Sequence, residues 1–186
     1  MALFEFLMVL VSIIIGLGLT EILTGVASSI RCRTTVNFYW VHLVLVLAIF
    51  IALLQQWWEI WGLRNASEWS FLALLFMLTA PVCLYLISHL LFPEPVEGAD
   101  IEIYYYNEMR PIWILGTLAV LISTLFRPIF FSVSLFSLDN ATSLVFILGF
   151  IVLYSSKHRL VHAIINCVFL ILLLIDVFKW TPIIAG

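Results

Sequence analysis

FEFLMVLVSIIIGLGLTEILTGVASSI, residues 4–30, carries only two charged side chains, Glu5 and Glu21. A helix needs about 20 apolar residues to cross the ~30 Å hydrocarbon core of a bilayer. This run exceeds that length before Arg31 and Arg33 end it. A secretory leader would begin with basic residues and hold an apolar core of about 7–15 residues. Residues 1–6 hold no Lys or Arg, and Glu5 is acidic. The stretch therefore reads as a retained first transmembrane helix.

The remaining chain repeats this pattern. Further apolar spans are expected at 38–63, 69–92, 111–131, 138–156 and 159–180. Arg64 and Asn65 close the second, Pro93 and Pro95 close the third, and Pro111 opens the fourth at a favoured first helical position. Residues 132–137 read as a tight apolar turn. The expectation is an all-α integral membrane protein, a bundle of about six transmembrane helices in one domain (1–186), with five or seven as alternatives. Membrane β-strands would show alternating segments of about ten residues, and runs such as 168–175 do not alternate.

Composition agrees. Hydrophobic residues make up 65% of the chain and charged residues 10%, against about 25% charged in a soluble domain. The net charge of −3 and the lack of a basic stripe exclude nucleic acid as a partner. Cys32, Cys83 and Cys167 are too scattered for a zinc spacing or a disulfide framework.

Lys and Arg set orientation. Six spans place Arg31, Arg33, Arg110, Lys157 and Arg159 on one side, and Arg64, Arg127 and Lys179 on the other. This puts both termini outside the cytoplasm of a plasma or bacterial inner membrane. The glycosylation sequons Asn65-Ala66-Ser67 and Asn140-Ala141-Thr142 fall on that outer side. Tyr39, Trp40, Trp69 and Trp180 sit where interfacial aromatic belts form. Residues 93–110 form an acidic loop containing Tyr104, Tyr105 and Tyr106, read as lying on the membrane surface and as the most plausible soluble contact for a partner.

Polar residues inside the spans are the functional clues, because a charge at a helix centre costs about 2.5–3.5 kcal/mol on insertion scales. Ser12, Gly16, Thr20, Thr24 and Ser28 recur every fourth residue, a small-residue stripe that lets a neighbouring helix approach closely. Glu21 lies beside it and is expected to point into the bundle, either as a structural hydrogen-bonding group or as an ion or proton site. Gln55 and Glu59 are one turn apart and are expected to form an inward polar site near Trp57, Trp58 and Trp61. Arg127 is expected to pair with Glu59, Asp139 or Asp176. Glu21, Gln55, Glu59, Arg127 and Asp176 are thus the pore or ion candidates.

His158, His162 and Asn166 form a polar stripe on the last span, and His42, His89, His158 and His162 all fall in one leaflet. Imidazoles clustered in this way suit a metal, a haem or a proton path; unrelated interfacial histidines are the plainer account. Ligand pairs in both leaflets, as a di-haem membrane cytochrome needs, are missing. So are a phosphate-binding glycine loop, HExxH and GxSxG. No internal repeat supports an inverted-repeat transporter.

The leading functional expectation is a non-enzymatic, homo-oligomeric channel-like or scaffold subunit, ion conducting or joined to a membrane complex, with the lipid bilayer as its medium. The alternatives are a membrane redox or metal enzyme using the histidine-rich leaflet, and a small-solute transporter centred on Gln55 and Glu59. No catalytic residue and no cofactor is assigned, with metal or haem belonging to the enzyme alternative.

Overall fold

The computed structural model describes residues 3–64, 70–131 and 138–179. Among these the chain is all helical, with α1 (Leu3–Arg31), α2 (Trp40–Trp61), α3 (Phe71–Leu90), α4 (Ile101–Glu108), α5 (Arg110–Phe131), α6 (Leu138–Ser155) and α7 (Arg159–Lys179). Four helices, α1, α2, α3 and α7, are long and apolar enough to cross a membrane. A fifth span is obtained if α4 and α5, bent by 59°, count as one. The apolar part of α6, Thr142–Ser155, is shorter. Residues 132–137, Asn65, Trp69, Trp180 and the side chains of Arg127, Asp139 and Asn140 lie outside the described residues.

The helices close into a ring. α1 packs on α3, α3 on α5 and α5 on α6; α7 returns from α6 to α2, which contacts α1 and α3. Buried side chains of α1 recur at Val11, Ile15, Gly18, Ile22, Gly25 and Ser29, alternating steps of four and three residues. That is a heptad seam, the pattern that keeps one stripe of a helix facing its neighbours. Close approach along it needs two glycines. A Cβ at Gly18 would meet Leu53 at 3.1 Å, and one at Gly25 would run into the Phe92 ring.

The small-residue stripe lies elsewhere. Ser12, Gly16, Thr20 and Thr24 are exposed, Ser28 is half-buried, and nothing lies within 4 Å of a Cβ built on Gly16. Lipid tails are as apolar as a helix bundle's interior, so small residues mark a packing surface without saying which partner it packs against.

The Tyr-rich stretch is not merely an interfacial loop. Asp100 caps α4, its carboxylate accepting from the Ile103 amide at 3.0 Å, which supplies one of the helix's unpaired first-turn donors. A backbone bridge ties this point to the segment before α2: the Asn37 amide donates to Ala99 O, and the Ile101 amide to Asn37 O, both at 3.1 Å. Tyr105 then enters the core and is only 2% exposed. Tyr104 donates to Leu90 O at 3.0 Å, and the Tyr39 and Tyr106 hydroxyls meet at 2.7 Å. Glu102 pairs with Arg159 at 2.7 Å. The short helix is fastened across one end of the bundle, where α1, α3 and α6 finish and α2, α5 and α7 begin.

Candidate functional site

Two polar clusters occupy that end. The first is lateral. Glu21 Oε2 on α1 lies 3.3 Å from His89 Nδ1 on α3, with their side chains 36% and 50% exposed. They line a groove of about 310 Å³ that runs past Thr24, Ser28 and Arg31 to the Phe92–Glu97 segment. Glu21 is therefore half-buried at the edge of the bundle and does not point into its middle, because the α1 seam passes through Ile22 and Gly25. Thr20 returns its hydroxyl to Gly16 O at 2.8 Å, satisfying itself within the helix.

The second cluster is internal. His162 and Asn166, one turn apart on α7, are 2% and 0% exposed. The Tyr105 hydroxyl lies 3.0 Å from His162 Nδ1 and 2.9 Å from Asn166 Nδ2. His162 Nε2 is 2.8 Å from the Ser156 carbonyl, and Asn166 Nδ2 is 2.8 Å from the His162 carbonyl. Carbonyl oxygens only accept, so both nitrogens donate. This fixes the imidazole tautomer and the amide orientation. Rings of Tyr105, Tyr106 and Trp113 surround the imidazole with centroids 5.1–5.9 Å away. Burial pushes the Tyr105 phenol far above its ordinary range, so its hydroxyl keeps its hydrogen at any physiological pH. Asn166 Oδ1 is buried and has no hydrogen-bond partner among the described residues.

The four histidines share one end of the molecule but occupy separate surroundings. His42 is buried, its Nε2 2.7 Å from Leu91 O and its ring edge-on to Phe92. His89 faces Glu21. His158 is exposed in the turn before α7. Both ring nitrogens of His162 are occupied. Among the described residues no three His, Cys, Asp or Glu side chains gather closely enough to hold a metal ion.

The candidates at the other end are dispersed. Gln55 is half-buried, its Oε1 enclosed and unpaired among the described residues. Glu59 is exposed rather than inward, on the rim of a cavity of about 50 Å³ shared with Gln56 and Phe126. That volume accommodates one or two waters. Asp176 is half-buried on α7. The tryptophans act mainly as edge residues: Trp57 Nε1 donates to Ser12 Oγ at 2.9 Å, and Trp61 packs edge-on to Phe4 with the Arg64 guanidinium 5.9 Å from its centroid.

Sequence reasoning missed Tyr105 as a core residue and found its partners. The i, i+4 spacing of His162 and Asn166 was visible; the hydroxyl that joins them comes from 57 residues away. No protein-family model matches the chain, and comparison with curated proteins and with solved structures gave no match.

Proposed function

We propose that this chain is a six-span integral membrane protein that works as a subunit of a homo-oligomer, packing through the outward face of α1, with the Glu21–His89 pair as the ion- or proton-handling group of the assembly. The observation carrying this reading is the mismatch between that face and lipid. Ser12, Gly16, Thr20 and Thr24 are exposed in the single chain, and a half-exposed carboxylate and imidazole lie beside them. Ionisable groups within membrane spans are costly against lipid and almost always face protein or water. Small residues allow a second helix to approach closely enough to cover them. A channel-like role fits better than a carrier within one subunit, because the bundle interior is filled by apolar and aromatic side chains such as Trp113, Phe150 and Phe169.

The test is the mass of the particle in lipid nanodiscs and its sensitivity to two glycine substitutions. The assembly should run at a multiple of 21.3 kDa. Gly16→Leu, placed where a Cβ meets nothing, should lower the subunit number while leaving helix content and melting of the single chain unchanged. Gly18→Leu, placed against Leu53, should harm folding itself. A wild-type monomer in lipid, or an assembly indifferent to Gly16→Leu, would sink the reading. Proteoliposomes carrying Glu21→Gln should lose most ion or proton flux if the pair serves conduction, and a protein inert in every flux assay would leave a scaffold.

A further inference from the structure

The Tyr105 hydroxyl and both His162 ring nitrogens are all paired in only one protonation state. With Nε2–H of His162 donated to Ser156 O, a neutral ring leaves Nδ1 as an acceptor, and the Tyr105 O–H fills it. Asn166 Nδ2 then donates to the Tyr105 oxygen and to His162 O. A proton added to His162 would sit on Nδ1, facing the Tyr105 oxygen. That oxygen would then receive two N–H donors, and its own hydrogen would have no acceptor at its present place. The unpartnered acceptor nearby is Asn166 Oδ1, on the far side of the same amide, so reaching it requires the Tyr105 ring, and α4 with it, to shift.

Among the described residues facing the cluster, no carboxylate is left unengaged to compensate the added proton. From α4 the cluster is faced by Tyr105 and Tyr106, and by Glu102, which is engaged with Arg159. The segment before α2 contributes Tyr39 against both tyrosines, and α5 contributes Trp113. On the α7 side stand His158, the Arg159 guanidinium and the Ser156 carbonyl. Ring contacts would offset part of the cost of a buried imidazolium, but they supply no acceptor for the orphaned hydroxyl, and a buried donor left unmade costs more than the mean hydrogen bond contributes.

We propose that α4 is a latch released by acid: protonation of His162 displaces the Tyr105 hydroxyl from its seat and lifts α4 from the end of the bundle, opening the Tyr39, Trp113 and Asn166 surroundings to water. The other fastenings of this end, the Asn37 backbone bridge, Asp100 with Asn37, Tyr104 with Leu90, Tyr39 with Tyr106 and Glu102 with Arg159, involve neither the His162 ring nor the Tyr105 hydroxyl and limit how far α4 moves.

The experiment is hydrogen–deuterium exchange of the peptide covering residues 99–110, read by mass spectrometry on the full chain in nanodiscs at pH 7.5 and 5.5 and corrected for intrinsic exchange. Protection of α4 should fall severalfold in acid, up to the roughly tenfold that one ordinary imidazole can supply over this interval. His162→Asn keeps an acceptor near the Nδ1 position and cannot be protonated, so its α4 exchange should not change with pH. Tyr105→Phe keeps the ring and removes the hydroxyl that protonation would orphan. Its α4 should be less protected than wild type at pH 7.5 and show no acid step, which keeps the proposal testable if His162→Asn does not fold. His158→Asn should retain the wild-type step. Unchanged wild-type protection at pH 5.5, or an acid step that persists in His162→Asn or Tyr105→Phe, would overturn it.

Discussion

The two ends of the bundle are held in different ways. At the end closed by α4, side chains from four separate segments are hydrogen-bonded across long sequence separations, as in Tyr39–Tyr106, His42–Leu91, Tyr105–His162 and Tyr105–Asn166. At the opposite end, the contacts described between α1 and α2 are the Phe4–Trp61 ring pair and one bond from Trp57 to Ser12. In the first case Tyr105, His162 and Asn166 are enclosed and bonded to one another; in the second the Trp57–Ser12 bond is exposed. Since lipid offers no hydrophobic drive between helices, an end joined by directional bonds should resist opening more than an end joined by packing alone.

Tyr105→Ala is the strongest challenge to that contrast. It removes a large buried ring and leaves His162 Nδ1 without its donor, and should cost about 3–5 kcal/mol by analogy with aromatic truncations in cores. Unfolding in mixed micelles measures it. A loss below about 1 kcal/mol would show that α4 adds little to the stitched end. Gly25→Val comes next. Its side chain must displace the Phe92 ring, and overpacking of this kind costs about 1–3 kcal/mol, read in the same assay. A cost as small as that of Gly16→Val, which meets nothing in the single chain, would break the distinction between the two faces of α1.

A smaller effect is expected from acid at the Asp100 cap. The bond from the Ile103 amide holds this carboxyl below its ordinary value, helped by Asn37. A depressed carboxyl contributes stability that is present above the unfolded-state value of about 3.9 and lost as pH falls through the folded value. Fraying at the first turn of α4 should therefore begin only below about pH 4, separable by hydrogen exchange from any event at pH 5.5. The smallest change should come from Trp57→Phe at the opposite end. Losing the exposed bond to Ser12 should shift stability by no more than about 0.5 kcal/mol. A larger loss would mean that this end, too, depends on its polar contacts.

The helical class was legible because long unbroken apolar runs leave the backbone no other way to satisfy its hydrogen bonds in lipid. The direction each helix faces was not. On α1 two stripes competed, Ser12–Gly16–Thr20–Thr24 at four-residue spacing and Val11–Ile15–Gly18–Ile22–Gly25–Ser29 at heptad spacing, and the second is the one that packs. In water, polarity would have decided between them; in a bilayer both lipid and protein neighbours are apolar, so it does not. The tyrosines of α4 failed for a related reason. Tyr suits an interfacial belt and a hydrogen-bonded core equally well, and what separates the two here is a histidine far away in sequence. Among the candidate residues, Glu21 and His89 are brought together and His162 joins Asn166, whereas Gln55 is half-buried and Glu59 exposed. Exact side-chain direction is a product of the ring-shaped packing order, which no single stretch encodes.

Helix α1 has a further consequence through its length. Its 29 residues extend about 44 Å, whereas the 20 residues of α3 extend about 30 Å. A hydrophobic mismatch of this size is accommodated by tilting or by thickening the surrounding bilayer. Because α1 carries Glu21 and α3 carries His89, a change in membrane thickness that alters the tilt of the longer helix would slide one member of the pair past the other. Bilayer thickness and the geometry of the Glu21–His89 contact are therefore expected to change together.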